Sequence, residues 1–310
     1  MESKPQSPQG NDTRYALDKL AWMRANRIWP NGLRYLWTDA FGVVLLVSLY
    51  AELGRRQHLE EAEWVIAEVD RVLGRPRGVR IGEAADRDGQ YFHYLAMWLY
   101  ALAVVGRYRP EYRLKGIALA HDAHSAFVIP GRGVWWKMRE DLSGPYPGYG
   151  LGAMDAFDGY ISYRMLDETA LAAQIADMHR LIQISSPHLT ITQDLGIGMM
   201  LWMAHFFPDE EWAITQRARC LSVLDRMWIR EGYFCRDPLL RDTKFAFTNY
   251  GVSIGLQASD AMPERVQRLN DFFEHHRSQD AYDRDSITHV MACSSHYPGH
   301  LLRNFKPGRQ

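Results

Sequence analysis

The sequence predicts an all-α fold in which six helical hairpins close into two concentric rings, an (α/α)6 toroid forming a single domain over residues 13–310. Two observations lead there. Helix signals cover most of the 310-residue chain, in twelve candidate segments, and strand alternation is weak everywhere. The segments also alternate in character. "EEAEWVIAEVDRVLGR" and "PERVQRLNDFFEHH" each carry one apolar stripe and one charged face, whereas "AFGVVLLVSLYAEL", "QYFHYLAMWLYALAVV" and "LGIGMMLWMAHFF" are apolar nearly all round. A helix apolar on every side must be enclosed by protein, and amphipathic helices can enclose it.

In chain order, the polar opening "MESKPQSPQGND" (1–12) lacks an apolar signal core and is expected to be a disordered tail. Helices are then expected at 12–27, 36–54, 59–75, 89–107, 110–128, 153–168, 169–184, 195–208, 209–229, 244–259, 262–277 and 286–297. The breaks carry turn chemistry: "PNG", "GRPRG", "SSPH", "PDEE" and "REGYF". "HLTIT" (188–192) and "GYFCRD" (232–237) are expected to pair locally at most. The connection 129–152, "PGRGVWWKMREDLSGPYPGYGLGA", is too long for a simple turn, and its Trp, Lys and Tyr content marks it as a functional loop.

Composition excludes several classes. Hydrophobic residues make up 47%, enough for a sizeable core, and the net charge of −1 lacks the basic excess of a nucleic-acid binder. No segment reads as a membrane span. Cys220, Cys235 and Cys293 form no CxxC pair, which points to a reducing, cytoplasmic setting. No Walker motif or HExxH occurs, and "GYGLGA" follows no strand, so the expectation is a cofactor-independent protein. The expected partner is a small molecule or saccharide, and the expected assembly a monomer or homodimer.

The inner helices begin alike: "TDAFG" (Asp39), "RDG" (Asp88), "FDG" (Asp158), "QDLG" (Asp194), "TNYG" (Asn249) and "RDSITH" (Asp285). An acid or amide at a helix start serves as an N-cap and suits the helix dipole. If every hairpin runs in the same sense, however, all six groups also converge on one mouth. Several carboxylates in an apolar funnel push their pKa values apart, which suits acid–base chemistry. The same mouth gathers Trp37, Tyr91, His93, Trp135, Trp136, Lys137 and Tyr149. Aromatic walls with a few carboxylates suit a sugar ring.

The helix pattern resembles the six-hairpin glycosidase superfamily, with its glucoamylase-like and unsaturated glucuronyl hydrolases and the related N-acylglucosamine 2-epimerases. Within it, "RYLWTDAFGV", "RIGE" followed by "DRDGQYFHYL", "WKMREDL", "DLGIG" and "SITHVMACSS" look like a group of microbial proteins. The resemblance spans most of the chain. It implies the toroid strongly and a reaction only weakly.

Asp39 and Asp88 are the first candidates for acid–base work, followed by Asp158 and Asp194. Glycosidic-bond hydrolysis by two carboxylates is the leading expectation. His93 could shuttle a proton, with His289 on the last inner helix as a second base. That pairing motivates the alternative, an epimerase, lyase or cyclase. A binding or scaffold module is a further alternative, which predicts exposed capping acids and no deep pocket. Trp37, Tyr91, Trp135, Trp136, Lys137, Tyr149 and Asn249 are expected to bind substrate. Lys137 either anchors an anionic group or pairs with Glu140 or Asp141. His289, His296 and His300 share one helical face by spacing, but Pro298 interrupts it, so no metal site is expected.

Overall fold

The computed structural model describes residues 9–229 and 245–302, positions 278 and 280 excepted. It contains twelve α-helices: α1 (Gln9–Ala25), α2 (Leu36–Leu53), α3 (Arg56–Leu73), α4 (Phe92–Val105), α5 (Pro110–Phe127), α6 (Asp155–Leu166), α7 (Ala172–Ser185), α8 (Asp194–Ala204), α9 (Glu211–Ile229), α10 (Ala246–Ala258), α11 (Pro263–His275) and α12 (Ser286–His296). The even-numbered helices form the inner ring, each packed against the next, and α12 closes the circle on α2. Each odd-numbered helix packs outside an inner one, α1 against α12 and α3 against α2. The chain is therefore an (α/α)6 toroid.

The division follows burial. In α2 every residue from Leu36 to Leu49 is buried, and in α4 every residue from Leu95 to Val105. In α3 only His58, Leu59, Ala62, Val65, Ile66, Val69 and Leu73 are buried, one stripe at helical spacing. α2 is long and apolar enough to cross a membrane, but 78% of that stretch is buried inside the ring.

The inner helices all start at one end. Tyr35 before α2 meets Tyr94 of α4, Asp194 of α8 accepts from Thr248 Oγ1 of α10 at 3.0 Å, and Phe245 before α10 meets Tyr282 before α12. α8 and α10 touch backbone to backbone. A Cβ on Gly198 would collide with the Gly251 carbonyl, and one on Gly255 with that of Gly198. α6 and α8, by contrast, touch only lightly.

Two short antiparallel pairs organise the long loop. β1 (Gln90–Tyr91) pairs with β4 (Lys137–Met138), placing Tyr91 opposite Lys137, and β2 (Val128–Ile129) pairs with β3 (Gly133–Val134). The other end of the ring is closed by the 3-10 turn Gly299–Leu301. Tyr100 Oη donates to His300 O at 2.8 Å, Trp202 Nε1 to Leu301 O at 2.9 Å, and His300 N to Ser48 Oγ at 2.8 Å.

Three expectations need correction. α1 already runs from Gln9, three residues ahead of the expected helix start at 12. "HLTIT" forms no strand, because its backbone only links α7 to α8. The acids are mostly not caps: Asp285 alone bonds as one, to Ile287 N, whereas Asp39, Asp158 and Asn249 lie one turn inside their helices and Asp88 precedes α4 by several residues. "GYFCRD", with Cys235, lies outside the described residues.

Candidate functional site

One chamber lies inside the ring beneath the starts of α4 and α6. Its free volume is only about 10 Å³, so its own side chains nearly fill it, and it is lined by Trp37, His93, Ala96, Met97, Tyr100, Asp158, Ile161, Ser162, Met199 and Trp202. The lining follows helical spacing. α4 supplies positions 93, 96, 97 and 100, α6 supplies 158, 161 and 162, and α8 supplies 199 and 202. Tyr100 and Trp202 form the bottom, with their polar hydrogens bonded to the turn beneath them.

The polar groups of this chamber are poised unequally. Burial pushes the Asp158 carboxyl up to about 8. Asp155, one turn away, is buried and also raised well above its usual range, by desolvation first and by the nearby Asp158 second. Asp158 therefore holds its proton at neutral pH. Burial pushes His93 down to about 3, so its imidazole is neutral, although part of the ring is still reached from the chamber. Trp37 Nε1 and Asp155 Oδ1 are buried without a hydrogen-bond partner. A polar guest could satisfy them.

Above the chamber stands an aromatic wall. Trp37 and His93 have centroids 6.0 Å apart, and His93 stacks on Trp136 at 6.3 Å. Tyr91 stacks on Trp136 at 5.3 Å, and Trp136 meets Tyr149 at 5.3 Å. Trp136 remains 40% exposed, so this wall opens to solvent. Lys137 is buried among three phenol rings, with its ammonium 3.9 Å from the Tyr146 centroid, 5.1 Å from Tyr149 and 5.3 Å from Tyr91. It bonds Asp88 at 3.1 Å rather than Glu140 or Asp141. The Tyr146 hydroxyl donates to the other oxygen of Asp88, and these two bonds, Tyr146 first, hold that carboxyl below its usual range.

The structure thus gathers Trp37, His93 and Asp158 in the chamber, and Asp88, Tyr91, Trp136, Lys137 and Tyr149 at its mouth. Five candidates sit elsewhere. Asp39 is fully buried and spent on local structure: it accepts from Trp29 Nε1 at 2.9 Å and Tyr35 N at 3.2 Å and pairs with Arg34 at 3.1 Å. His289 faces outward against Trp22 of α1, at 4.7 Å, and bonds Asp283 O, so it cannot partner His93. Trp135 packs on the core side of the loop, because alternation along an extended segment turns it away from Trp136. Asp194 and Asn249 join the Thr248 network between α8 and α10, off the chamber wall. Among the described residues no group of His, Cys, Asp or Glu gathers as metal ligands.

Asp155, Ser162, Tyr94, Tyr146, Met199 and Trp202 were missed. The signal for Asp155 was present, in "MDAFDG", where two acids three apart share one helical face. The scaffold expectation of exposed acids is not met at Asp39 and Asp194, which are buried.

No protein-family model and no curated sequence matches the chain. Solved structures do. A D-mannose isomerase superposes with a TM-score of 0.69 at 10% identity, covering 95% of this chain and 99% of that one. A GH76 alpha-mannanase from Bacteroides thetaiotaomicron gives 0.68 at 10%, covering 94% and 98%. The cellobiose 2-epimerase of Spirochaeta thermophila gives 0.64 at 12%, covering 95% and 98%. At these identities the likeness establishes the shared toroid fold.

Proposed function

We propose that the chain is a cofactor-independent enzyme that isomerises or epimerises a small sugar by proton transfer, with Asp158 as the acid and His93 as the base. The observation that carries this reading is that the Asp158 carboxyl and the His93 imidazole line one narrow pocket beneath the aromatic shelf of Tyr91, Trp136 and Tyr149, a pocket that must widen from its roughly 10 Å³ to admit a sugar. Asp158, near 8, has the acidity suited to general acid work at neutral pH. In the forward step His93 takes the proton from the carbon beside the substrate carbonyl, and Asp158 gives its proton to the carbonyl oxygen. The substrate becomes an enediol, and the protein is left with an imidazolium facing a carboxylate. That attraction compensates for the low basicity of a buried imidazole. The imidazolium then gives its proton to the neighbouring carbon while the Asp158 carboxylate takes the proton of that carbon's partner hydroxyl, which completes isomerisation; if the enediol first turns over in the site, return of the proton to the original carbon gives the epimer.

The solved relatives in fold include a D-mannose isomerase and a cellobiose 2-epimerase, which agrees with this reading. Hydrolysis is the second reading, favoured by the shelf of Tyr91, Trp136 and Tyr149, which offers a second ring a stacking surface. Asp158 is the one carboxyl in the pocket lining, with Asp155 buried beside it on the same turn of α6, so a two-carboxylate hydrolysis would have to use this adjacent pair. The cytoplasmic setting belongs to the same proposal, supported by the unpaired thiols Cys220 and Cys293.

The test is incubation with free hexoses and disaccharides in deuterium oxide. Deuterium at the carbon beside the carbonyl in a new sugar is the expected result. Solvent oxygen in a cleaved product, without carbon-bound deuterium, would replace isomerisation by hydrolysis.

A further inference from the structure

Helix α4 carries the proposed base in its first turn, and that turn is capped from outside the helix. The first N–H groups of a helix have no partner within it. Tyr91, the residue before α4, bonds none of them with its side chain, and Phe92 N donates instead to Trp136 O at 3.2 Å. The next amide, that of His93, meets the carboxyl of Asp155, which belongs to α6. Asp155 is 3% exposed and its Oδ1 has no hydrogen-bond partner, so water does not take the place of the amide there.

A glycine seats this carboxyl. Gly152 N donates to Val134 O at 2.9 Å, which fixes the end of the 129–152 loop against β3. A Cβ on Gly152 would fall on Oδ2 of Asp155, so any side chain at 152 drives the carboxyl from its place. Asp155 thus stands where the loop, α4 and α6 meet, three residues before Asp158 on the same face of α6.

We propose that Asp155 is a positioning residue: it caps α4 from the neighbouring helix, and by holding the amide of His93 it fixes where the imidazole points. The inference rests on the reading of His93 as the base. The imidazole leaves the same residue whose amide is held, so fraying of this turn would swing the ring away from Asp158. The place asks only for an acceptor oxygen, which the side chain of Asn also has.

Two measurements test the cap. Hydrogen exchange needs no turnover, so it separates failure of the cap from failure of the sugar reading. Asp155→Ala should accelerate exchange at residues 93–95 by ~10-fold and leave residues 199–203 of α8 unchanged, and Asp155→Asn should restore protection to within about threefold. Gly152→Ala keeps the carboxyl in the chain but evicts it, so it should act like Asp155→Ala, and the double variant should be no worse than either. Gly152→Ala also carries the test should Asp155→Ala not fold. Steady-state kinetics are the second measurement. Asp155→Ala should lower kcat by ~10-fold or more with KM within about threefold, and Asp155→Asn should recover most of the loss. Unchanged exchange at 93–95, exchange accelerated equally in α8, or an Asn variant as impaired as the Ala variant overturns the proposal. If exchange responds as expected while the unaltered protein converts no sugar, the cap stands and the positioning role is overturned together with the sugar reading.

Discussion

The ammonium of Lys137 lies 3.1 Å from the carboxylate of Asp88, and this bond, with the β1–β4 pairing and the Tyr146 hydroxyl, ties the 129–152 loop to the start of α4. Asp88 keeps its proton less readily in the fold than in the unfolded chain, chiefly through Tyr146 and then Lys137. A depressed acid contributes stability above its unfolded pKa and loses it as pH falls through the folded one. Asp88→Asn should therefore cost stability at pH 7, on the order of 1 kcal/mol for a carboxylate 38% exposed. That cost should shrink as pH falls below about 3.9, the range of an unfolded aspartate. Urea unfolding of both proteins at the two pH values checks it, and a cost independent of pH would count against the ion pair.

Asp158 carries the opposite sign. An unfolded aspartate releases its proton near pH 3.9 or so, whereas burial holds this one to about 8. Between those values the unfolded state binds fewer protons, so this group makes stability fall as pH rises. Asp158→Asn should thus raise Tm at pH 8 by at least about 2–4 °C while lowering kcat by about 100-fold or more. Calorimetry and initial rates on one preparation decide it, and loss of both stability and activity would mark a structural residue instead.

The same ionisation sets the pH profile. With Asp158 needed in its protonated form and His93 neutral above about 3, activity should be level from mildly acid to neutral pH and fall above about 8. A rate that climbs through pH 8 would reverse the assigned roles.

Trp136→Ala should leave folding nearly unchanged, since the indole is 40% exposed. Loss of its stacking, about 0.5–1.5 kcal/mol, should raise KM several-fold at constant kcat. Steady-state kinetics beside a melting curve would show whether the shelf touches substrate.

Asp39→Asn should do the reverse. It leaves the guanidinium of Arg34, itself 3% exposed, without its charge partner. The expected loss is about 3–5 kcal/mol, with kcat retained by the molecules that stay folded. Denaturant titration measures the first and active-site-normalised rates the second.

The alternation of "EEAEWVIAEVDRVLGR" with "QYFHYLAMWLYALAVV" made the two rings legible, because enclosure of an all-apolar helix has few solutions. The common mouth was legible too, from the recurrent acids. The division of labour among those acids was not. Asp39 and Asp158 both stand one turn into an inner helix, each before a glycine three or fewer residues on. What separates them is Arg34 and Trp29, which reach Asp39 from a loop whose path no local pattern encodes. His289 failed for a related reason: a position on an inner helix does not say which side of the ring it faces. The closure of the ring's far end was invisible because the turn Gly299–Leu301 lies more than two hundred residues from its partner Ser48 in the chain.

The bare contact of Gly198 with Gly251 and Gly255 makes the ring lopsided. Where α8 and α10 meet without side chains between them, no hollow is left, and the empty space is displaced toward α4 and α6. In a saturation scan, positions that silence catalysis without lowering expression should thus crowd onto two neighbouring staves. Substitutions at the glycine seam across the barrel should be lost earlier, as protein that never accumulates.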